Sequence, residues 1–410
     1  MSSDQIGSTK NSDQIGSTKS SDRPARLPSL TGLRCVLSLT TLLCHALYVF
    51  YSDPVLNSTA VQAVMLVGRI GVTCFFVLSG FVLTWSARIG HSAPSFWRRR
   101  AWKIVPNHVL AWTIGMVFIL LTGVRPPFSA GGQEITPADI WCLLLVSGWW
   151  PAQHDGGPNP AIWTVTCEVF FYLLFPVLFV ALHRLSGRVL KRTWLIVAAV
   201  IVLVPLPVSL IPGPPLTESL GVSYVTLWAC FVLPLTRSLE FVLGMATARL
   251  LQTGQWPHAI PRTVTMGLPV LMCALLPLLP PHYALGPLFA MHTAVFIVAI
   301  ARGDIKGRSG MLARPRVVLL GDASYALYII HFPLLLIAAH WIGPVSGPRA
   351  IVVMTACMAA MPLVTLLVYR YFEKPLLLRY SRPTPSRAPL PAHPEPPVAS
   401  SESERALPNR

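Results

Sequence analysis

The chain has 410 residues, of which 53% are hydrophobic and 12% charged; its mean hydropathy is +0.58 and its formal net charge +16. Ordinary soluble domains carry about 25% charged residues, and apolar runs recur here from residue 33 to 372, so the composition excludes a soluble fold and predicts an all-α polytopic membrane protein. The surplus of Lys and Arg does not indicate nucleic acid: it clusters in the N-terminal tail, at 88–103, 184–192, 249–262, 302–316 and beyond 370, while the alternate connections carry Asp53, Glu134, Asp139, Asp155 and Glu218. That alternation is the positive-inside pattern and orients the chain in a bilayer.

Residues 1–30 are polar and contain a direct repeat, SDQIGSTK at 3–10 and, nine residues on, at 12–19. They hold too little apolar surface to build a core and read as a disordered cytosolic tail, with no cleavable signal peptide expected. The Pro-rich segment 381–410 reads as a second such tail. Residues 31–380 between them form one transmembrane domain. Its apolar segments fall near 33–52, 63–86, 104–123, 136–150, 162–183, 193–212, 227–250, 263–280, 284–301, 317–341 and 349–372. A crossing takes about 20 residues. The segment 136–150 is short and flanked on both sides by loops without basic clusters, so it predicts a re-entrant or interfacial helix. About ten crossings remain, placing both termini in the cytoplasm and the chain in the plasma membrane. No GxxxxGK[ST] loop is present, and the eight cysteines lie within apolar runs at spacings that suggest neither a disulfide framework nor a metal site.

Polar residues inside the apolar runs are the functional candidates. Arg34 and His45 stand eleven positions apart in LRCVLSLTTLLCHALYVF. Eleven residues of helix return to nearly the same face and climb roughly 16 Å, so an Arg34 at one membrane surface places His45 near the middle of a core about 30 Å thick. An imidazole at that depth is either a functional group facing a cavity or a neutral ring satisfied by a neighbouring helix. In FWRRRAWKIVP, read as the loop preceding the third crossing, Arg98, Arg99, Arg100 and Lys103 interleave with Phe96, Trp97 and Trp102. Guanidinium forks match phosphate oxygens, so the cluster suits a polyanionic cytosolic ligand; topology determination with an aromatic belt is the other reading.

Glu168 lies a short way into the apolar IWTVTCEVFFYLLFP. A histidine and a carboxylate meeting in one cavity form a general base, the carboxylate orienting the imidazole. A structural hydrogen bond between helices would also account for Glu168. Arg237 and Glu240, spaced i,i+3 in PLTRSLEFVLGM, predict an ion pair on one helix face. His331, in GDASYALYIIHFPLL, reads as an interior histidine that could line the same cavity.

The order of these stretches is more specific than any one of them. Arg34 to His45, GVTCFFVLSGFVLTW, FWRRRAWKIVP, WTVTCEVFFYLLFP, RSLEFVLGM, then GDASYALYIIHFPL and YFEKPL closely resemble the acyltransferase-3 family of integral membrane acyltransferases, from about residue 28 to 376. The resemblance implies ten membrane helices and transfer of an acyl group, usually from acyl-CoA, to a hydroxyl of a sugar, glycolipid or secondary metabolite. It makes His45 the expected catalytic base with Arg34 as its motif partner, and Arg100 and Lys103 the contacts to CoA phosphates. Lys103 stands where the family usually has Arg, Thr73 where many members carry Asp, and Val169 where a second acid is common. SGFVLTW and WTVTCE look like the actinobacterial branch that acylates macrolide antibiotics, more than the envelope-polysaccharide branch. No esterase-type domain follows the last helix, which fits a one-step transferase.

The expected enzyme binds no metal and no resident cofactor. It uses acetyl-CoA or another short acyl-CoA as co-substrate, a hydroxylated small molecule or glycan as acceptor, and the bilayer as its environment. His45, oriented by Glu168, deprotonates the acceptor, with Arg34 or a helix amide facing the oxyanion; an acyl-imidazole on His45 is the alternative chemistry. Acetylation of an envelope glycan, a proton-coupled transporter using the membrane His and Glu, and a non-catalytic acyl-sensing receptor are the competing functions.

Overall fold

A computed structural model describes residues 26–51, 59–90, 92–126, 132–151, 157–215, 222–257 and 262–380. Asp53, Asp155, Glu218 and almost all of both predicted tails lie outside the described residues. The first helix, α1 (Pro28–Phe50), begins five residues before its apolar run and three before the predicted domain boundary. Proline suits the first helical position because its missing N–H would be unpaired there. The backbone N–H and hydroxyl of Ser29 both donate to the Asp304 carboxylate, at 2.8 and 2.6 Å. Residues 28–30 thus belong to the domain and not to the tail.

The chain continues as α2 (Thr59–Ser86), α3 (Ala93–Thr122), the short α4 (Pro137–Leu143), α5 (Trp163–Arg184) and α6 (Gly187–Leu203). A tight π turn at Trp228–Val232 leads into α7 (Pro234–Gln252), followed by α8 (Arg262–Leu275), α9 (Phe289–Ile305), α10 (Pro315–Asp322) and α11 (Ser324–Ile342). Finally α12 (Gly347–Val368) passes through a second π turn, Tyr369–Glu373, into α13 (Lys374–Tyr380). No strand is formed among the described residues. Among the described residues, eight helical stretches are long and apolar enough to cross a bilayer. The two remaining candidates of the ten-crossing reading are shorter: α8 holds 14 residues, interrupted by Pro269, and α9 holds 17. The stretch 136–150 forms only α4 and a 3-10 turn at Ser147–Trp149, too little to span.

Two elements differ from the sequence reading. FWRRRAWKIVP is not a loop: it lies within the first turns of the 30-residue α3, which carries Pro106 in its interior. Arg, Lys and Trp are compatible with helix, and an interior proline removes one backbone hydrogen bond without ending a helix held by its neighbours. The basic cluster is therefore rigidly continuous with a membrane helix. The run 317–341 is not one span either; it breaks at Ala323 between α10 and α11. Of the eight cysteines, Cys273 is exposed and Cys230 half-buried, and the other six are buried.

Lipid tails are as apolar as phenylalanine, so helix association within a bilayer rests on close packing and internal polar contacts. The centre of the bundle shows both. Phe171 stacks on Phe241 with ring centroids 4.9 Å apart and meets Phe76 edge-on at 5.1 Å. Helices α2 and α7 approach until backbone touches backbone: a Cβ on Gly80 would strike the carbonyl of Phe241, and one on Gly244 the carbonyl of Val77. Gly244→Val should separate these helices and cost about 1–3 kcal/mol or more. The predicted result is a lower melting temperature in detergent, with Gly267→Val, which meets nothing within 4 Å, unchanged. Equal melting of the two variants would remove the close approach from the account of the fold. A second core, with Leu42, Ala46 and Phe50 from α1 against Leu335, Met354 and Met361, packs the other side of α1 on α11 and α12. The helix that carries Arg34 and His45 is held from both sides.

Candidate active site

Four helices bring their polar residues to one place. From α1 come Arg34 and His45, from α3 Arg100 and Lys103, from α5 Glu168 and Tyr172, and from α11 Tyr325, Tyr328 and His331. Two adjoining cavities run between them. The first is walled by Arg34, Arg100, Lys103, Glu168, Tyr172 and Tyr325, together with Leu78 and Val82. The second lies deeper and is largely apolar, bounded by Val72, Phe75, Phe76, Val165 and Tyr328. Arg34, Phe75, Glu168 and Tyr325 line both, so the basic end of the bundle connects with its interior through one set of side chains.

The charges in this passage are not consumed by one another. The side chains of Arg34 and Lys103 make no hydrogen bond or ion pair within 4 Å to another described residue, whereas Arg125–Asp139 and Arg237–Glu240 do pair, at 3.0 and 2.7 Å. Arg100 lies over the rings of Phe96 and Tyr172, at 5.4 and 5.3 Å from their centroids. Lys103 lies 5.6 Å from the ring centroid of Tyr325. Glu168 accepts from the Tyr172 hydroxyl at 3.2 Å. The C-terminal helical extension closes this end: Trp102 stacks on Tyr380 at 4.2 Å, and Asn107 donates to the buried Glu373 carboxylate at 2.9 Å. A passage with three cations against Glu168, their donors free, is suited to drawing in an anion.

At the inner end the Tyr328 ring packs against His331, centroids 5.9 Å apart, and His331 meets His45. Nδ1 of His45 and Nε2 of His331 are 2.7 Å apart, and the two ring planes differ by 2°. His331 is 1% exposed; its Nδ1 donates to the carbonyl of Leu327 at 3.0 Å. His45 is half-buried and keeps accessible surface, with Phe332 edge-on at 5.3 Å.

The predicted site residues divide accordingly. Arg34, Glu168, Arg100 and Lys103 line the passage, and His45 stands beyond its Tyr328 wall, against His331. Glu168 does not orient His45: its hydrogen bond goes to Tyr172, one helical turn along α5, and the partner of His45 is His331. Arg98 is exposed, and Arg99 donates to Ser95 at 2.7 Å. Because a helix turns by 100° per residue, only every third or fourth member of the basic cluster faces inward, and these are Arg100 and Lys103. Arg237 and Glu240 line a separate small cavity with Ile201, Pro205 and Cys230. There Arg237 also donates to the Thr73 hydroxyl at 3.3 Å, and Thr73 donates to Glu240 at 3.2 Å.

The sequence reading missed Tyr325 and Tyr328. The hydroxyl of Tyr325 is buried without a hydrogen-bond partner among the described residues, and that of Tyr328 accepts from Thr164 at 2.9 Å. A signal for them existed: Tyr325, Tyr328 and His331 recur at every third residue and so share one face of an apolar helix. Among the described residues no three His, Cys, Asp or Glu side chains converge as a metal site.

A family model described as an acyltransferase domain matches residues 27–370. Acyltransferase MdmB of Streptomyces mycarofaciens is 35% identical over 316 residues, 75% of this chain and 78% of its own length. The putative peptidoglycan O-acetyltransferase YrhL of Bacillus subtilis is 25% identical over 75% of this chain, and O-acetyltransferase OatA of Staphylococcus aureus 22% identical over 86%. The matched regions cover 50% and 57% of those two longer relatives. No solved structure gave a significant match.

Proposed function

The chain belongs to the family of membrane acyltransferases defined by that domain, and from this premise we propose that it is an acyl-CoA-dependent O-acyltransferase of the plasma membrane, both termini cytoplasmic, acting on a hydroxyl of a macrolide-type secondary metabolite. The observation that carries the reading is the passage lined by Arg34, Arg100 and Lys103, whose inner wall includes Tyr328, the ring that packs against His331 and so adjoins the His45–His331 pair. The choice of acceptor class draws support from SGFVLTW and WTVTCE, and from the higher identity to a Streptomyces acyltransferase than to the two relatives named as O-acetyltransferases.

In this mechanism the nucleotide end of CoA stays at the basic mouth, where Arg100 offers a fork and Lys103 a point charge to phosphate oxygens. The pantetheine arm lies along the passage. The roughly 16 Å of helix between Arg34 and His45 is a span it can bridge when extended. The apolar inner cavity takes the acyl chain. His45 removes the proton from the acceptor hydroxyl, and the resulting oxygen nucleophile attacks the thioester carbonyl carbon. Arg34, roughly 16 Å of helix from His45, stays with the phosphates at the basic end, and a helix amide nearer His45 is the donor for the developing oxyanion. Collapse of the tetrahedral intermediate breaks the C–S bond, and the proton held by the imidazole passes to the departing CoA sulfur.

The test is release of free thiol by purified protein given acyl-CoA and a hydroxylated macrolide, with mass spectrometry of the product. Acceptor-dependent thiol release with a product heavier by one acyl group is expected. Movement of the macrolide across a vesicle membrane without thiol release would make the protein a transporter. Arg100→Gln and Lys103→Gln should each raise KM for acyl-CoA about tenfold, a loss of about 1.4 kcal/mol, with kcat little changed. The effect should weaken at high salt, as expected for charges reached from water. A KM insensitive to both substitutions would remove these residues from donor binding.

A further inference from the structure

We propose that His331 is the positioning residue of the site: it fixes which nitrogen of His45 acts as the base and shares the proton that His45 takes up. The proposal rests on the reading of His45 as the base. A carbonyl oxygen can only accept, so the contact between Nδ1 of His331 and the Leu327 carbonyl, 3.0 Å, places a hydrogen on that nitrogen. A neutral imidazole carries one N–H, which leaves a lone pair on Nε2 of His331. That lone pair faces Nδ1 of His45 at 2.7 Å, so Nδ1 of His45 is the donor. The lone pair of His45 is then on Nε2, at the opposite edge of the ring.

The ring geometry supports an in-plane contact instead of face-to-face stacking. The planes differ by 2° and the centroids are 5.0 Å apart. That separation equals the nitrogen–nitrogen distance plus one ring radius on each side, so the two nitrogens point at each other. Phe332 holds both rings edge-on, at 5.3 Å from His45 and 6.4 Å from His331. The backbone carbonyl of Leu327 thus sets the first tautomer, and the first sets the second, with no carboxylate in the chain of bonds.

The proton balance closes on the pair. The acceptor hydroxyl gives its proton to Nε2 of His45. The hydrogen already on Nδ1 can then move to Nε2 of His331, which becomes an imidazolium with both N–H groups bonded, one to His45 and one to Leu327. The reverse shift restores the imidazolium on His45, and its Nε2 proton leaves with the CoA sulfur. A neutral histidine here performs the orienting task that a carboxylate performs elsewhere.

Steady-state kinetics of His331→Leu, His331→Gln and His45→Ala, with melting temperatures in the same detergent, decide the matter. His331→Leu should lower kcat by about 10²-fold, within the 10²–10⁴ a positioned base supplies, at nearly unchanged KM for acyl-CoA. His331→Gln, whose amide oxygen accepts from Nδ1 of His45, should recover activity to within about tenfold of wild type at similar fold stability. In a His45→Ala background, His331→Leu should cause no further loss, because the two act as one unit. If His45→Ala is inactive while His331→Leu turns over normally, or if Gln and Leu at 331 are equally impaired in step with their melting temperatures, the positioning role is wrong and the base assignment survives. If His45→Ala itself turns over normally, the underlying reading is the one that fails.

Discussion

His45→Ala is expected to lower acyl transfer by about 10²–10⁴-fold, the contribution of a positioned general base, while the protein still accumulates in membranes. The two halves of that expectation have separate physical grounds. Activity falls because alanine offers no lone pair at the inner end of the passage, and an acceptor hydroxyl is too weak a nucleophile without one. Accumulation persists because α1 is anchored elsewhere. Leu42, Ala46 and Phe50 pack into the core shared with α11 and α12, and Ser29 binds Asp304 at the helix start. The imidazole is half-buried, so truncating it does not empty a sealed core. Thiol release per unit of membrane protein, measured beside wild type, checks both halves. Undiminished turnover would end the mechanism, and loss of the protein from the membrane would show that the helix depends on its histidine.

Glu240→Ala is expected to be the most damaging single change to stability, about 3–5 kcal/mol, the usual consequence of leaving a buried charge without its partner. Arg237 and Glu240 are each 2% exposed. The guanidinium is clamped between the rings of Phe76 and Phe231, at 4.9 and 5.0 Å from their centroids. Thr73 adds a neutral hydroxyl that bonds to both members. An Asp at position 73, as the family resemblance would suggest, would bring a second carboxylate to one guanidinium; with Thr, one negative charge faces one positive. Replacing both by apolar residues of similar volume, Arg237→Met with Glu240→Leu, should recover most of the loss, because the cost lies in the uncompensated ion and not in the missing bond. Thermal unfolding of the three proteins in one detergent is the measurement. A single variant as stable as wild type would mean that the charge finds water, and a double variant as unstable as the single would mean that the pair itself holds the bundle.

Much of this was legible in the linear sequence because membrane insertion acts on short windows. Helix existence follows from about 20 apolar residues in a row, and the i,i+3 pairing of Arg237 with Glu240 follows from helical geometry alone. The spacing of Arg34 and His45 likewise needs only the rise of one helix. Legibility fails where two segments must meet. FWRRRAWKIVP reads as a loop because it is basic and ends in proline, yet α3 runs through it, and that continuity turns Arg100 and Lys103 inward and Arg98 outward. Glu168 and His45 are the natural catalytic couple from composition, and nothing in either segment says that Tyr172 already occupies one and His331 the other.

The sequence by itself determined an all-α membrane bundle and the family to which it belongs, because these depend on composition and motif order. Only the tertiary structure decided which partner the His45 imidazole has and which cations line the passage. The rotation of each helix about its axis is set by contacts such as Gly80 and Gly244 pressing on the opposing backbone, and residues more than 160 positions apart in the chain contribute the two sides of that contact.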